Sequence, residues 1–462
     1  MRAENDLGKD KISRLVLRIA IPSMLAQFVS VFYSIVDRIF VGNIPEVGNL
    51  ALAGVGICGP ILTMIGSVAF LVGTGGTPLM GMRMGEGNMK QAERILANAF
   101  VMLTVFAVIL TTVMLAIREP MLKLFGASGE TYTYAESYFK VYICGTVFAL
   151  LSTGMNQFII SQGFAQMGMF SVMIGAVLNI ILDPIFIFVL DMGVQGAALA
   201  TIISQAVSAA FVLKFLFSKN PPVRITFNGY KLRTMGKILK IGMTPFLIIG
   251  FDNVMIIAMN SLLQKYGGAT QGDMLITCNT IVQSFMLLVT MPLGGISGGT
   301  QGILSYNFGA GRSDRVLKAE KNIMFLCAAY TTLMFIVART LDGNFVSMFT
   351  SDTVIMEEAC RAIQICTMAL PLLGIQYAIV DGFTGMGQVQ VSLPLSAFRK
   401  IVYFVSIFIL PVFGEVKVIF YAEPTSDIIG PIVSIIVVLL VFKKILKKRE
   451  KEIGNHDGTI LL

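Results

Sequence analysis

The sequence predicts an all-α polytopic membrane protein, with twelve transmembrane helices in two pseudo-symmetric six-helix lobes around a central cleft. Three observations lead there. Hydrophobic residues make up 55% of the 462 and charged residues only 13%, about half the charged share of an ordinary soluble domain. Twelve apolar runs divide the chain, each long enough for the roughly 20 residues that carry a helix across a bilayer. Landmarks of the first half recur in the second at a near-constant offset. So little polar surface cannot coat the chain in water, which excludes a soluble enzyme and a disordered protein. A membrane β-barrel would alternate polar and apolar residues, and these runs do not.

The chain opens on MRAENDLGKDKISRLVLR, which is polar and leads into an apolar run too long for the core of a cleavable signal peptide. Apolar runs then follow at about 15–42, 50–80, 95–117, 136–160, 168–190 and 196–217 in the first half. In the second half they lie at about 241–263, 273–304, 322–338, 357–383, 391–413 and 425–442. The long polar stretch Ser218–Lys240 separates six runs from six. The expected organisation is an N-lobe over 1–218, a linker over 219–240, a C-lobe over 241–445 and a tail over 446–462. Gly85-Glu86-Gly87 is answered by Gly309-Ala310-Gly311, Phe125 by Phe349 and Gly163 by Gly387, all at 224 residues, and Pro22 by Pro245 at 223. Six spans per half start both halves on the same side, so the repeats are parallel and related by an axis along the membrane normal.

With both termini on the cytoplasmic side, the inner segments 1–18, 83–94, 214–240, 312–321, 399–400 and 443–451 hold 27 of the 35 basic residues. That positive-inside bias accounts for the net charge of +8 without nucleic acid. A multi-pass protein of the cell inner (plasma) membrane follows, with both termini cytoplasmic. Trp is absent, so interfacial aromatics must come from 12 Tyr and 33 Phe. The six cysteines sit in apolar runs with no CxxC pair, and the one histidine, His456, is in the tail. No cofactor is therefore expected, and a histidine proton relay is excluded. Gly54-Val55-Gly56-Ile57-Cys58-Gly59 matches GxGxxG but lies inside an apolar run, where glycines serve helix packing. There is no P-loop or HExxH, so neither an ATP-driven pump nor an enzyme is expected.

Asp37, Asp183, Asp252 and Asp381 fall within apolar runs, where a charge is expensive and calls for a partner, water or a proton. Desolvation favours the neutral carboxyl, which makes such an aspartate a natural ion-coupling group. Asn179 and Asp183 are four apart and share a helix face. Pro184 lacks an N–H and frees the Ile180 carbonyl. Carboxylate, amide oxygen and free carbonyl suit a small cation or a proton; equally, Pro184 reads as the kink of a capped outer helix end. Tyr33 and Asp37 also share a face, and Arg38 offers Asp37 a surface pair as the alternative. The segment GVQGAALAT opens the sixth run with small residues and ends on Thr201.

Together these residues resemble the multidrug and toxic compound extrusion (MATE) family. The resemblance is carried by Pro22, Asp37 in IVDRIFVG, Gln162-Gly163, Asn179 and Asp183-Pro184 in LNIILDPIFIF, Thr201 in GVQGAALAT, and the duplicated Gly-x-Gly turns. It covers the chain from about 10 to 445 and is nearest the bacterial and archaeal branch with acids in helices 1 and 5. In that branch a helix-1 Asp, a helix-5 Asn and Asp and a helix-6 Thr form a polar site for H+ or Na+. The resemblance carries this site to Asp37, Asn179, Asp183 and Thr201, with no metal expected beyond a Na+ there. It further implies that Tyr33 and Asn156 line the substrate pocket, and that Pro22 and Pro184 bend their helices. Another branch places coupling acids in helices 7 and 10. Asp252 and Asp381 lie in those helices, but Leu373 occupies the position of the family's helix-10 acid. The implied function is secondary active multidrug efflux: export of amphipathic, often cationic, drug-like compounds in exchange for H+ or Na+, by alternating access of a monomer. The alternative is a flippase for a lipid-linked precursor of the same superfamily, disfavoured because few cations fall within the runs.

Overall fold

The computed structural model describes residues 5–460, and side chains at all of these except 269–270 and 455–460. His456 and the last part of the expected tail lie outside those described side chains. No strand occurs among the described residues, because a chain crossing lipid must satisfy its backbone within each segment. Among the described residues, ten single helices and two bent pairs are long and apolar enough to cross a membrane, which makes twelve spans when each bent pair is one. They are α1 Ile12–Gly42, α2 Gly48–Gly85, α3 Met89–Ala116, α4 Gly129–Cys144 with Thr146–Ser161, α5 Ala165–Val189 and α6 Gly193–Phe217. The second lobe has α7 Leu232–Gly268, α8 Gln271–Gly309, α9 Ser313–Thr340, α10 Thr353–Cys366 with Leu370–Gly385, α11 Val389–Phe413 and α12 Val416–Gly454. The end of the bundle where α1 begins is called inner below.

The duplication reaches into details of the backbone. α4 bends by 56° and α10 by 50°. Short helices Arg118–Leu124 and Asp342–Val346 precede the two bent spans, again 224 apart. The turns after α2 and α8 place Gly87 at φ 76° and Gly311 at φ 68°, and those after α4 and α10 place Gly163 at 94° and Gly387 at 71°. Only glycine enters that region without strain, which explains why these four glycines keep the 224-residue register.

The lobes meet where α2 crosses α8. A Cβ on Gly85 would lie 2.0 Å from the Tyr306 carbonyl oxygen, and one on Gly309 would lie 2.2 Å from that of Met82. These two contacts exchange under the 224-residue shift, so they straddle the pseudo-twofold axis. Spans α1 and α7 reach across the boundary in matching fashion. Ser23 of α1 packs on Gly295 and Gly299 of α8, and Gly242 of α7 packs on Leu71 of α2. The inner third of α1, including Leu15, Val16 and Ile19, accordingly belongs to the hydrophobic core of the second lobe. At the inner end the N-terminal segment fastens the halves. Asn5 donates to the Gly163 carbonyl, while Asn307 and Arg315 donate to that of Leu7. Arg449 pairs with Glu86 and caps the Phe308 and Gly309 carbonyls. Exposed apolar side chains such as Val108, Val177, Phe325, Leu333, Ile401 and Leu439 cover the outside, as a lipid-facing surface requires.

Two readings of charged segments change. Arg399 and Lys400, counted above as inner loop, lie inside α11, ten residues beyond its start at Val389. Without them the inner segments hold 25 of the 35 basic residues. Of the expected linker, the chain is non-helical only to Lys231, and α7 begins at Leu232. The Val223 N–H donates to the side-chain oxygen of Gln162 at 2.9 Å, and the Lys231 N–H to that of Asn98 at 3.0 Å. The linker is therefore docked on the first lobe, and buried Gln162 is the side chain that holds it.

Candidate functional site

In the outer half of the first lobe, α1 supplies Asp37, α5 supplies Asn179 and Asp183, and α6 supplies Thr201. The i,i+4 spacing on α5 works as the sequence requires: the Asn179 amide donates to Asp183 Oδ1 at 3.1 Å. The same amide reaches Thr201 Oγ1 at 3.4 Å, while the Thr201 hydroxyl donates to the Ala197 carbonyl one turn earlier. Asn179 and Asp183 are 1% and 0% exposed. The carboxyls of Asp37 and Asp183 lie within hydrogen-bond reach of one another. Arg38, by contrast, makes no ion pair with Asp37 among the described residues, so a surface Asp–Arg pair is not what is seen. Pro184 is the last α-helical residue of α5, which widens into a π-turn over Ile185–Val189.

Three oxygens in this cluster, Asp37 Oδ1, Asn179 Oδ1 and Asp183 Oδ2, are buried without a hydrogen-bond donor among the described residues. Leaving such groups unpaired costs about 1–3 kcal/mol each, more when charged. The donor set is all hard oxygen, which fits a proton or a small monovalent cation and not a soft metal. Two carboxylates this close cannot both be charged and unpartnered; one bound cation relieves both the charge and the unpaired oxygens.

The site has an aromatic wall that sequence reasoning found only in part. Tyr33 faces Asp37 and Asp183, and beside it stand Tyr138 and Tyr142 of α4. Those two rings stack at 5.7 Å between centroids, and the Gln205 amide of α6 donates to the Tyr142 hydroxyl at 3.2 Å. The i,i+4 spacing of Tyr138 and Tyr142 was a legible sign of a shared face. Asn156 is placed elsewhere: its amide donates to the Gly168 carbonyl near the inner start of α5, eleven residues and so about 16 Å along the helix from Asn179. Pro22 sits within α1 without interrupting it, next to the Ser23 contact with α8 and four turns from Asp37.

In the second lobe the structure separates Asp252 from Asp381. Asp252 of α7 pairs with Lys400 of α11 beside a cavity of about 160 Å³ whose wall includes Met286, Tyr377, Arg399, Tyr403 and Glu423. Leu373 is part of that wall. Arg399 bonds buried Asp427 of α12 at 2.7 Å, with Glu423 at 3.9 Å. Asp381 lies outside that wall and accepts from the Ser297 hydroxyl of α8.

Comparison with known proteins places these features in a lineage. The MatE family model matches residues 22–185 and 249–409, one segment in each half. The multidrug export protein MepA of Staphylococcus haemolyticus (strain JCSC1435) is 25% identical over 382 residues, covering 82% of each chain. MepA of Staphylococcus aureus (strain N315) is 26% identical over 387 residues, again 82% of each. A solved structure described as the outward-facing conformation of a multidrug resistance MATE family transporter superposes with a TM-score of 0.89 over 96% of this chain and 98% of that one. At 22% identity that likeness speaks for the fold.

Proposed function

The chain belongs to the MatE family, and from that premise we propose that it is a secondary active multidrug efflux antiporter. It exports amphipathic, often cationic organic compounds in exchange for H+ or Na+, alternating the access of its cleft between the two membrane faces as a monomer in the cell inner membrane. Both termini are cytoplasmic on this reading, which is supported by the 25 basic residues of the inner segments. The relatives named above are exporters, and no enzymatic role is proposed.

The observation that carries the coupling step is the meeting of Asp37 and Asp183 from two different helices, with unpaired oxygens around them. One cation bound between the carboxyls, with Asn179 and Thr201 completing the oxygen set, ties α1 to α5 and α6. Released, it leaves two facing charges that push α1 away. Because the inner part of α1 packs in the second lobe, a shift at Asp37 is felt across the lobe boundary, with Pro22 and Pro184 as the points of bending. The energetics suffice. One charge moving inward through about 150 mV yields roughly 3.5 kcal/mol, enough for a few hundred-fold gradient of an uncharged substrate at about 1.4 kcal/mol per decade, whereas one-for-one exchange of a monocationic substrate is electroneutral and draws on the coupling ion's own concentration gradient.

The flippase alternative calls for a basic cavity. Arg399 and Lys400 do face the second-lobe cavity, but each is matched by an acid, Asp427 and Asp252, so the multidrug reading stands ahead. The test is dye efflux from proteoliposomes driven by a H+ or Na+ gradient. Asp37→Asn and Asp183→Asn are each expected to abolish gradient-driven efflux while the protein stays folded; full activity in both variants removes the site assignment.

A further inference from the structure

We propose that Glu320 and Asp381 form a second proton site, in the second lobe and apart from the Asp37–Asp183 cluster. Glu320 lies two turns into α9, is 4% exposed, and has no hydrogen-bond partner on either carboxyl oxygen among the described residues. Its head rests on the backbone of α10: a Cβ built on Gly382 would lie 2.5 Å from Oε2 and 2.7 Å from Oε1. Asp381, the residue before that glycine, faces Glu320 across the α9–α10 contact. Asp381 accepts from the Ser297 hydroxyl of α8, and the Gln301 amide of the same helix stands close by, both 4% exposed or less. The other titratable groups facing the pair are Cys327 of α9 and Tyr377 of α10. Neither acid has an ion-pair partner among the described residues.

This asymmetry assigns the roles. Asp381 has a donor to hold a negative charge, so it remains the carboxylate. Glu320 has neither donor nor cation, and as a carboxylate it would be an uncompensated buried charge. A proton taken from water onto Glu320 removes that charge and its repulsion of Asp381; its release to water restores the two charges. A metal ion needs oxygen on several sides, and the Gly382 backbone covers one side of the Glu320 head, which favours the proton. On the antiporter reading above, with H+ as the ion of the Asp37–Asp183 site, filling both sites sets the exchange at two protons per substrate.

The test uses the full chain in proteoliposomes. Infrared difference spectra between acidic and alkaline buffer report the C=O stretch of protonated carboxyls, with and without Na+. Wild type should show a titrating band that Glu320→Gln removes, Asp37→Asn leaves in place and Glu320→Asp restores at a shifted frequency. Asp381→Asn should move that band. The reversal potential of dye exchange should fall from two protons per substrate towards one in Glu320→Gln. A titrating spectrum unchanged in Glu320→Gln overturns the proposal, and so does a band erased by Na+ at constant pH, which would make the occupant a metal ion. Wild-type protein that moves no dye would remove the antiporter reading alone, since the band still decides the site.

Discussion

Substituting alanine at Gly85 or Gly309 should loosen the joint between the lobes at its narrowest point. Both glycines have negative φ, so the backbone itself accepts alanine and the whole penalty is steric. The new methyl would stand 2.0 Å from the Tyr306 oxygen in one case and 2.2 Å from the Met82 oxygen in the other, where ordinary contact begins at 3.4 Å. The helices must therefore part by more than an ångström, and neither obstacle is a side chain that can swing aside. Overpacking of this kind costs about 1–3 kcal/mol. The two substitutions should be strongly sub-additive, because the separation that admits one methyl also admits the other, and coupling of about 0.5–3 kcal/mol is usual between contacting sites. Unfolding can be followed with a thiol-reactive fluorophore, since Cys58, Cys278, Cys327 and Cys366 are buried in the folded chain. Gly56→Ala is the control, for a Cβ there meets nothing within 4 Å. If Gly85→Ala and Gly309→Ala melt with that control, or if their effects simply add, the close α2–α8 crossing is not the contact that joins the lobes.

Arg399→Met should destabilise the chain by about 3–5 kcal/mol, because it strands the buried Asp427 carboxylate. Arg399→Met with Asp427→Asn should recover most of that loss, measured by the same thiol-reactive melt. Gln162→Ala should cost about 1–3 kcal/mol by leaving the Val223 N–H without its acceptor. Limited proteolysis of the 219–231 linker should accelerate in that variant; an unchanged cleavage rate would show that Gln162 does not hold the linker.

The twelve spans and their duplication were legible because lipid imposes length and apolarity on every crossing segment, and because positive-φ turns admit little but glycine. The Asn179–Asp183 contact was legible for a similar reason, since four residues make one helical turn. Legibility failed where charges lie inside helices. Glu320 was hidden because hydropathy marks only the apolar part of a span: the stretch 312–321 reads as inner loop, yet α9 already begins at Ser313. Arg399 and Lys400 read as a loop for the same reason. Acids from α7 and α12, distant in sequence, neutralise them inside the bundle.

The sequence by itself determined the membrane-spanning class, the two-lobe repeat and the shared helix face of Asn179 and Asp183, because each depends on chemistry within one segment or on a register kept along the chain. The tertiary structure alone decided that Tyr138 and Tyr142 wall the Asp37–Asp183 site, that Lys400 answers Asp252, and that Glu320 stands without a donor against Gly382. Those are contacts between helices. The free energy of a buried charge depends on which groups face it from neighbouring helices, and that is set only when the spans have packed.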